Sequence, residues 1–522
     1  MKRIAFLLAA VLTLGLLAGC SSDKETVLNY NVREKVESLD PANAVKSAEK
    51  AIINTVFEGL CRLSQTGEAV PGAAQSWEAS PDFTQFTFHL RKNVQWSDKT
   101  PVTAQDFLFG ITRALLPETG ASGPEDLYII QNAAAVHAGQ AEPSELGISA
   151  PDEHTLMFTL IKSFEDFPKL TAGMRYMPCQ EAYFTATQGK YGLDAAHTLT
   201  NGPFTFQNIY AWEPGEYVNL VRSETYEGEH EAGAAALKIT MNQKDIETDP
   251  GKALLAGNTD VLPVSAAEAD MLRGQGAEIT ILNNAVTGLL LNTASDYLSE
   301  TEYRAMLMKS IDRQDVLGRM DAGMEEAAGI VPKSVRWQGQ NYREIGDAVY
   351  PAYDESAVQG LEAFLAAHEL DTAPDVKILC LDDDLSKQVA TGIIVSWNKS
   401  FGKAFNLEAV DADTFARRIA NGDYQAAVYT LSAQGSTPNG VFSCFRSNAQ
   451  PLLLEDAAYD AAMDEPLFDR DSYRALEEQI RGSYVFYPLT YDYNYYAISP
   501  KTSGIRISAE SGIDFVSGKK LE

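Results

Sequence analysis

Residues able to do chemistry are plentiful in this chain, so their spacing has to decide what they do. The six histidines, His89, His137, His154, His197, His230 and His368, form no close metal-ligand motif, although a cluster assembled in space stays open. Asp382-Asp383-Asp384 lacks the alternating ligands and turn glycine of a calcium loop, and reads as a solvated acidic loop. Cys61, Cys179, Cys380 and Cys444 contain no CxxC pair, which removes zinc-ribbon and thioredoxin chemistry. Metalloprotease, serine-hydrolase and phosphate-loop signatures are missing, and Gly274-Gln275-Gly276 lacks the third glycine of a dinucleotide loop. Carboxylates abound, so a glycosidase pair stays open, but no spacing singles one out. Asp411 and Asp413 have the look of turn or cap residues. No cofactor or metal is expected, and the chain is not expected to be an enzyme.

The strongest local signal is at the start. Met1-Lys2-Arg3 is positive, Ile4 to Leu17 is almost wholly apolar, and Leu17-Ala18-Gly19-Cys20 follows. That is the order of a secretory signal. The apolar run falls short of the roughly 20 residues a membrane span needs. The cysteine resembles that of a bacterial lipobox. The resemblance implies cleavage after residue 19, a lipid on Cys20, and a protein held outside the cytoplasmic membrane, at the cell surface or in a periplasm. An uncleaved anchor or a plain signal is the alternative. Residues 20–26 then form a lipid-anchored, flexible leash.

About 500 residues remain, too many for one simple core, so two or three domains are expected. The formal net charge is −30, and losing the two positive charges of Lys2 and Arg3 makes it −32. Such a chain repels nucleic acid and anionic headgroups. Strand-like and helix-like segments alternate throughout, an α/β signature. Phe86, Phe88 and Leu90 alternate with polar residues, as do Leu156, Phe158 and Leu160. Thr103, with Asp106 three residues on, opens a helix, and Tyr303 to Ile311 reads as another. Cys380 lies in a strand-like run, where burial as a small hydrophobe is at least as fitting as disulfide pairing. Tyr487, Tyr491, Tyr493 and Tyr495 would share one strand face, either as core or as an aromatic wall beside a cleft.

Longer matches run through the chain in order. They are Ser38-Leu39-Asp40-Pro41, Phe57-Glu58-Gly59-Leu60, Pro71-Gly72-Ala73-Ala74, Ser76-Trp77-Glu78, Phe86 to Arg91, Trp96-Ser97-Asp98 and Thr103 to Phe107. Asn201-Gly202-Pro203-Phe204, Leu291-Asn292-Thr293 and Ile311-Asp312-Arg313 continue them. Together they resemble the extracytoplasmic solute-binding proteins of oligopeptide, dipeptide and nickel ABC transporters, family 5. Trp77 and Trp96 look like core anchors, and Asp312-Arg313 like a helix cap followed by a surface charge, so these motifs are assigned to folding.

The resemblance implies a two-lobed α/β fold of the periplasmic-binding-protein type (class II), with an extra subdomain in the first lobe. The expected divisions are a signal at 1–19, a first subdomain at 27–50, 191–285 and 483–522, a second at 51–190, and the other lobe at 286–482. Two crossings are expected, near Ile281 to Thr287 and Gly482 to Pro488. The implied role is capture of a peptide by a monomer, by strand addition, and delivery to the permease of an ABC importer. A non-peptide solute such as a nickel complex or sugar, a ligand-sensing receptor and a surface hydrolase are the alternatives. Implied ligand contacts are Val45, Lys46, Ser47, Tyr429, Leu431, Ser432, Gln434, Thr437, Tyr491 and Asp492. Aligning on Pro438 puts Leu431 where peptide-binding members carry tryptophan, and Gln434 where they carry the aspartate that meets the peptide's α-ammonium. No acid occurs between Asp423 and Glu455, which leaves three outcomes open: a register slipped by a few residues, another acid such as Asp492 reaching the site, or a ligand without a free amine. The expectation is that Gln434 lines the cleft and that free-amine peptides bind more weakly than in typical members.

Overall fold

The computed structural model describes residues 26–32, 34–44, 46–121, 124–241, 246, 248–320, 325–337, 340–345, 350, 353–354, 356–433, 437–465, 470–509 and 511–521. Cys20, Val45 and Gln434 lie outside the described residues.

The first described strand, β1 (Val27–Val32), is followed by helix α1 (Ser47–Val56). A four-stranded antiparallel sheet follows, built from β2 (Ala74–Ala79), β3 (Gln85–Leu90), β4 (Ile148–Asp152) and β5 (Thr155–Thr159) in the order β2-β3-β5-β4. The expected alternation is realised in β3, where Phe86, Phe88 and Leu90 are buried. Helix α2 (Ala104–Leu115) starts with the foreseen cap, since the Asp106 carboxylate accepts the Thr103 amide at 2.8 Å and the Trp96 indole N–H at 3.2 Å. Trp96 is fully buried and Trp77 is half-buried against the same core. The chain then returns to β6 (Phe204–Phe206), β7 (Tyr217–Arg222) and β8 (Ala236–Met241), which complete the first sheet in the order β1-β8-β7-β6.

The motif Ser38 to Pro41 ties these two sheets together. Asp40 accepts both Arg113 guanidinium N–H groups, at 2.8 and 2.6 Å, and both side chains are buried. A bidentate pair of this kind fixes orientation as well as energy. This is a structural role.

A larger sheet joins β9 (Val261–Val264), β10 (Glu278–Leu291), β11 (Glu325–Glu326), β12 (Lys377–Leu381), β13 (Asn406–Val410), β14 (Ala426–Ser432) and β15 (Phe486–Ile498). Its order is β9-β15-β10-β14-β12-β13, with β11 beside β15. One end is stitched to the first lobe. The Asp260 amide donates to the Asn29 carbonyl at 2.7 Å, and the Asp260 carboxylate accepts the Asn29 amide at 2.7 Å. Helices α3 (Thr301–Lys309), α4 (Arg313–Gly318), α5 (Asp384–Phe401) and α6 (Ala412–Ala420) accompany the far end.

Several sequence expectations need correction here. The two long strands run side by side, with Ile281 to Thr287 meeting Tyr495 to Thr490. Two interruptions of register mark that pairing, one between Leu282 and Ala285 and one between Thr287 and Gly288. At the second, Gly288 pairs with Pro488 but Thr287 pairs with Thr490, leaving Leu489 as an extra residue. The bulge puts Tyr487 on the opposite face from Tyr491. Asp312 does cap α4, accepting the Asp315 amide at 3.2 Å. Arg313 is no surface charge: its guanidinium is largely buried, meets Glu326 at 2.8 Å and lies over the Tyr487 ring. Within the acidic triplet, Asp383 caps α5 through the Ser386 amide at 2.8 Å, and Asp382 meets Lys387 at 2.8 Å. All four described cysteines are free thiols, and Cys61, Cys179 and Cys380 are buried.

Candidate functional site

The site is built on three neighbouring strands. In antiparallel pairing, side chains of directly opposed residues point to the same face. Thr287 of β10 sits between Thr430 of β14 and Thr490 of β15, and Ala285 sits between Ser432 and Asp492. These six residues therefore line one face in two rows. Thr430 and Ser432 are exposed, so that face is open on the β14 side. Ser432 stands a few residues before Thr437, whose hydroxyl bonds across to Asp126 of the first lobe.

The two rows are stitched by hydroxyls. Thr287 Oγ1 and Thr430 Oγ1 share a hydrogen at 2.5 Å. Asp492 takes hydrogen bonds from Thr287 and, at 3.1 Å, from Thr490. Burial pushes the Asp492 carboxyl above its usual range, and the two threonine hydroxyls offset only part of that. Glu325 and Glu326 of the neighbouring strand β11 are themselves paired, with Lys333 and Arg313.

The opposite face is interior. Leu431, Val286 and Tyr491 form one row there and are all buried. The Tyr491 hydroxyl accepts the Ala328 amide at 3.1 Å. Tyr429 shares this face, and burial pushes its hydroxyl up to about 12. Tyr429, Leu431 and Tyr491 thus point away from the open face, whereas Ser432 and Asp492 are on it. Thr430, not among the residues named from the sequence, lies on the open face with Ser432, where a period-two reading places it.

The edge of β14 is also distinctive. Its inner side pairs with β10 along its whole length, but its outer side meets β12 only at Ala426 and Ala427. Among the described residues, Tyr429–Ser432 pairs with no strand on that outer side. Alternate main-chain N–H and C=O groups there are free to receive an added strand.

The rim is made by the first lobe. Lys46 caps α1, and its ammonium meets Glu37 and donates to the Lys35 carbonyl at 2.9 Å. Ser47 is exposed. Lys50, one turn on, is lowered to about 8 by burial and by the nearby Arg175 charge, against the pull of Cys444, Glu34 and Asp126. Across the junction, the Asp126 carboxylate accepts the Thr437 hydroxyl at 2.7 Å and the Asn439 amide at 3.2 Å. Arg446 meets Glu125 at 3.1 Å and also bonds Asp464. Burial raises Glu125 while Arg446 pulls it down. Thr437 therefore spends its hydroxyl on closing the lobes. Among the described residues, no group of three or more histidines, cysteines or carboxylates could hold a metal ion.

A two-lobed frame with an open strand edge at the lobe junction matches a known family. The family model "bacterial extracellular solute-binding proteins, family 5, middle" covers residues 68–451. The chain belongs to this family. It is a binding protein, not an enzyme, and it works outside the cytoplasm. It is similar to the oligopeptide-binding protein OppA of Bacillus subtilis, with 26% identity over 77% of this chain and 74% of that one. The periplasmic oligopeptide-binding protein OppA of Escherichia coli is 25% identical over 92% and 90%. Haemophilus influenzae OppA in complex with RPPGFSPFR superposes with a TM-score of 0.76, at 22% identity, over 96% of this chain and all of that one. The hydrolase alternative is removed by membership of a family of binding proteins.

Proposed function

We propose that this family 5 protein captures peptides between its lobes and delivers them to an ABC importer, tethered outside the membrane by a lipid on Cys20. The observation that carries the peptide reading is the unpaired outer edge of Tyr429–Ser432. An extended peptide laid there satisfies main-chain groups that otherwise need water, and main-chain pairing is indifferent to side-chain identity. The exposed Thr430 and Ser432 side chains then flank the ligand on the open face. The relatives named as oligopeptide-binding support the same choice over a nickel complex or a sugar. Lobe closure around the peptide is the state a permease would read.

Mass spectrometry of small molecules released from the folded protein is expected to find peptides of mixed sequence. Sugars or metal chelates in their place, with no peptide bound by calorimetry, would overturn the reading. Cys20→Ser is expected to release the protein from membranes; a variant that stays bound with an unchanged amino-terminal mass would refute the lipid anchor.

A further inference from the structure

The two most exposed large apolar side chains among the described residues are neighbours, Tyr210 at 77% and Ile209 at 60%. They sit at the tip of the connection that follows β6, between Phe206 and Trp212. Single exposed hydrophobes are ordinary. This pair differs because the turn beneath it is built to hold it out. The Asn208 side chain accepts the Tyr210 amide at 2.8 Å, and the Asn208 carbonyl accepts the Ala211 amide at 3.0 Å. The Ala211 carbonyl accepts the Asn219 amide of β7 at 2.7 Å. Below the turn, the Phe206 and Trp212 rings lie nearly parallel with centroids 6.3 Å apart, and Trp212 is buried. The tip thus meets a surface with its backbone already ordered, and little entropy is lost there. No residue from Gln207 to Trp212 is charged, so an apolar surface can approach without desolvating an ion.

The lipid proposed on Cys20 brings such a surface within reach. Val27, Ala236, Val221 and Thr205 pair in turn across β1, β8, β7 and β6. Those are three inter-strand steps of about 5 Å each. From Thr205 the chain reaches Tyr210 within about 17 Å, and residues 20–26 span at most about 24 Å. Cys20 can therefore stand under the tip. A tyrosine ring with a polar end beside an aliphatic side chain suits the level of the lipid headgroups. We propose that the Ile209–Tyr210 tip is a second membrane contact, seated at the headgroup–acyl boundary of the bilayer that holds the Cys20 lipid. The contact is too small to hold the protein by itself, but the leash makes it an intramolecular event. The protein is then oriented on the membrane as well as tethered to it. The inference rests on the lipid-anchor reading above and goes beyond it.

The test uses the mature chain carrying its lipid, on phosphatidylcholine vesicles with acyl chains brominated near the headgroup or left plain. Tyr210→Trp adds a fluorescent ring at the tip, and Val395→Trp adds one at an exposed position of α5 in the other lobe. Emission is read as the difference from wild type. Tyr210→Trp is expected to lose about half or more of its added emission to the bromines, as a ring about 5–10 Å into the boundary would. Ile209→Ser in the same background is expected to restore part of it, and Val395→Trp is expected to lose none. Equal loss at both positions overturns the proposal, because the tether alone then brings any surface to the lipid. No loss from Tyr210→Trp, with the protein still floating with the vesicles, overturns the contact and leaves the anchor intact. If Tyr210→Ser then lowers import in cells, the tip is a contact for a protein partner instead. Failure of wild type to float with the vesicles overturns the lipid anchor, and this inference with it.

Discussion

Two buried carboxylate sites stand at the lobe junction, and the protein treats them differently. At the rim, Glu125 has Arg446 and Asp126 has Thr437 and Asn439, all drawn from the opposite lobe. On the floor, the partners of Asp492 among the described residues are hydroxyls from its own sheet. Both Glu125 and Asp492 are raised by burial, but only Glu125 has a cation to pull it back. The rim acids are satisfied by closing the protein on itself. The floor acid has no cation partner among the described residues. Chemical completeness thus separates the carboxylates paired across the lobes from the carboxylate held by its own sheet.

The comparison can be broken first at the rim. Removing one member of a buried ion pair costs about 3–5 kcal/mol when the other stays buried. Arg446→Ala strands Glu125, but opening the lobes rehydrates it, so part of the cost is escaped by opening. The expected outcome is a larger radius of gyration by small-angle scattering, with a destabilisation of about 3 kcal/mol at most in a denaturant melt. An unchanged radius together with unchanged stability would show that the pair does not hold the lobes.

Asp126→Ala should have a smaller effect of the same kind. It deletes one good and one long hydrogen bond to a carboxylate, worth about 1–2 kcal/mol together in favour of the closed form. Ligand affinity is the sensitive measurement, since each 1.4 kcal/mol of closure is tenfold in binding. A variant with wild-type affinity would place the closing energy elsewhere.

The smallest effect belongs to the floor. Burial holds the folded pKa of Asp492 above its unfolded value, so the folded protein keeps this proton longer. The stability it contributes is complete below about pH 4 and is lost as pH rises through the folded pKa. Ligand-free Asp492→Asn should therefore gain on wild type as pH rises through that window, with a melting temperature higher by about 1–2 °C at neutral pH. A site tuned for a ligand at the expense of stability behaves this way. If Asp492→Asn melts lower at neutral pH, Asp492 is a structural residue and the contrast with the rim disappears.

The sequence was informative where the physics is local. Thr103 with Asp106, Asp312 and Asp411 all cap the helices they precede, because a cap needs only residues within one turn. Phe86, Phe88 and Leu90 are buried as their alternation requires. The two-lobed fold was also legible, because motif order over hundreds of residues reflects how a family packs. Which strand face each named residue takes was not legible. Ser432 and Asp492 were named with Leu431 and Tyr491, their immediate neighbours, and in a strand neighbours point to opposite faces. Choosing between them needs the direction of each face, which no local pattern supplies here because Leu431 and Ser432, like Tyr491 and Asp492, are each plausible at a cleft.

What the sequence by itself determined is the family, the α/β alternation, the helix caps and the lack of any catalytic motif. What only the tertiary structure decided is the row that joins Thr430, Thr287 and Asp492. Thr287 meets Thr430 from 143 residues away and Asp492 from 205. Strand register fixes such a row, and one residue of slip would turn every one of those side chains to the other face. Register is set by the packing of the whole sheet and by the bulge at Leu489. The row of Thr430, Thr287 and Asp492 therefore came into view only once the strands were laid side by side.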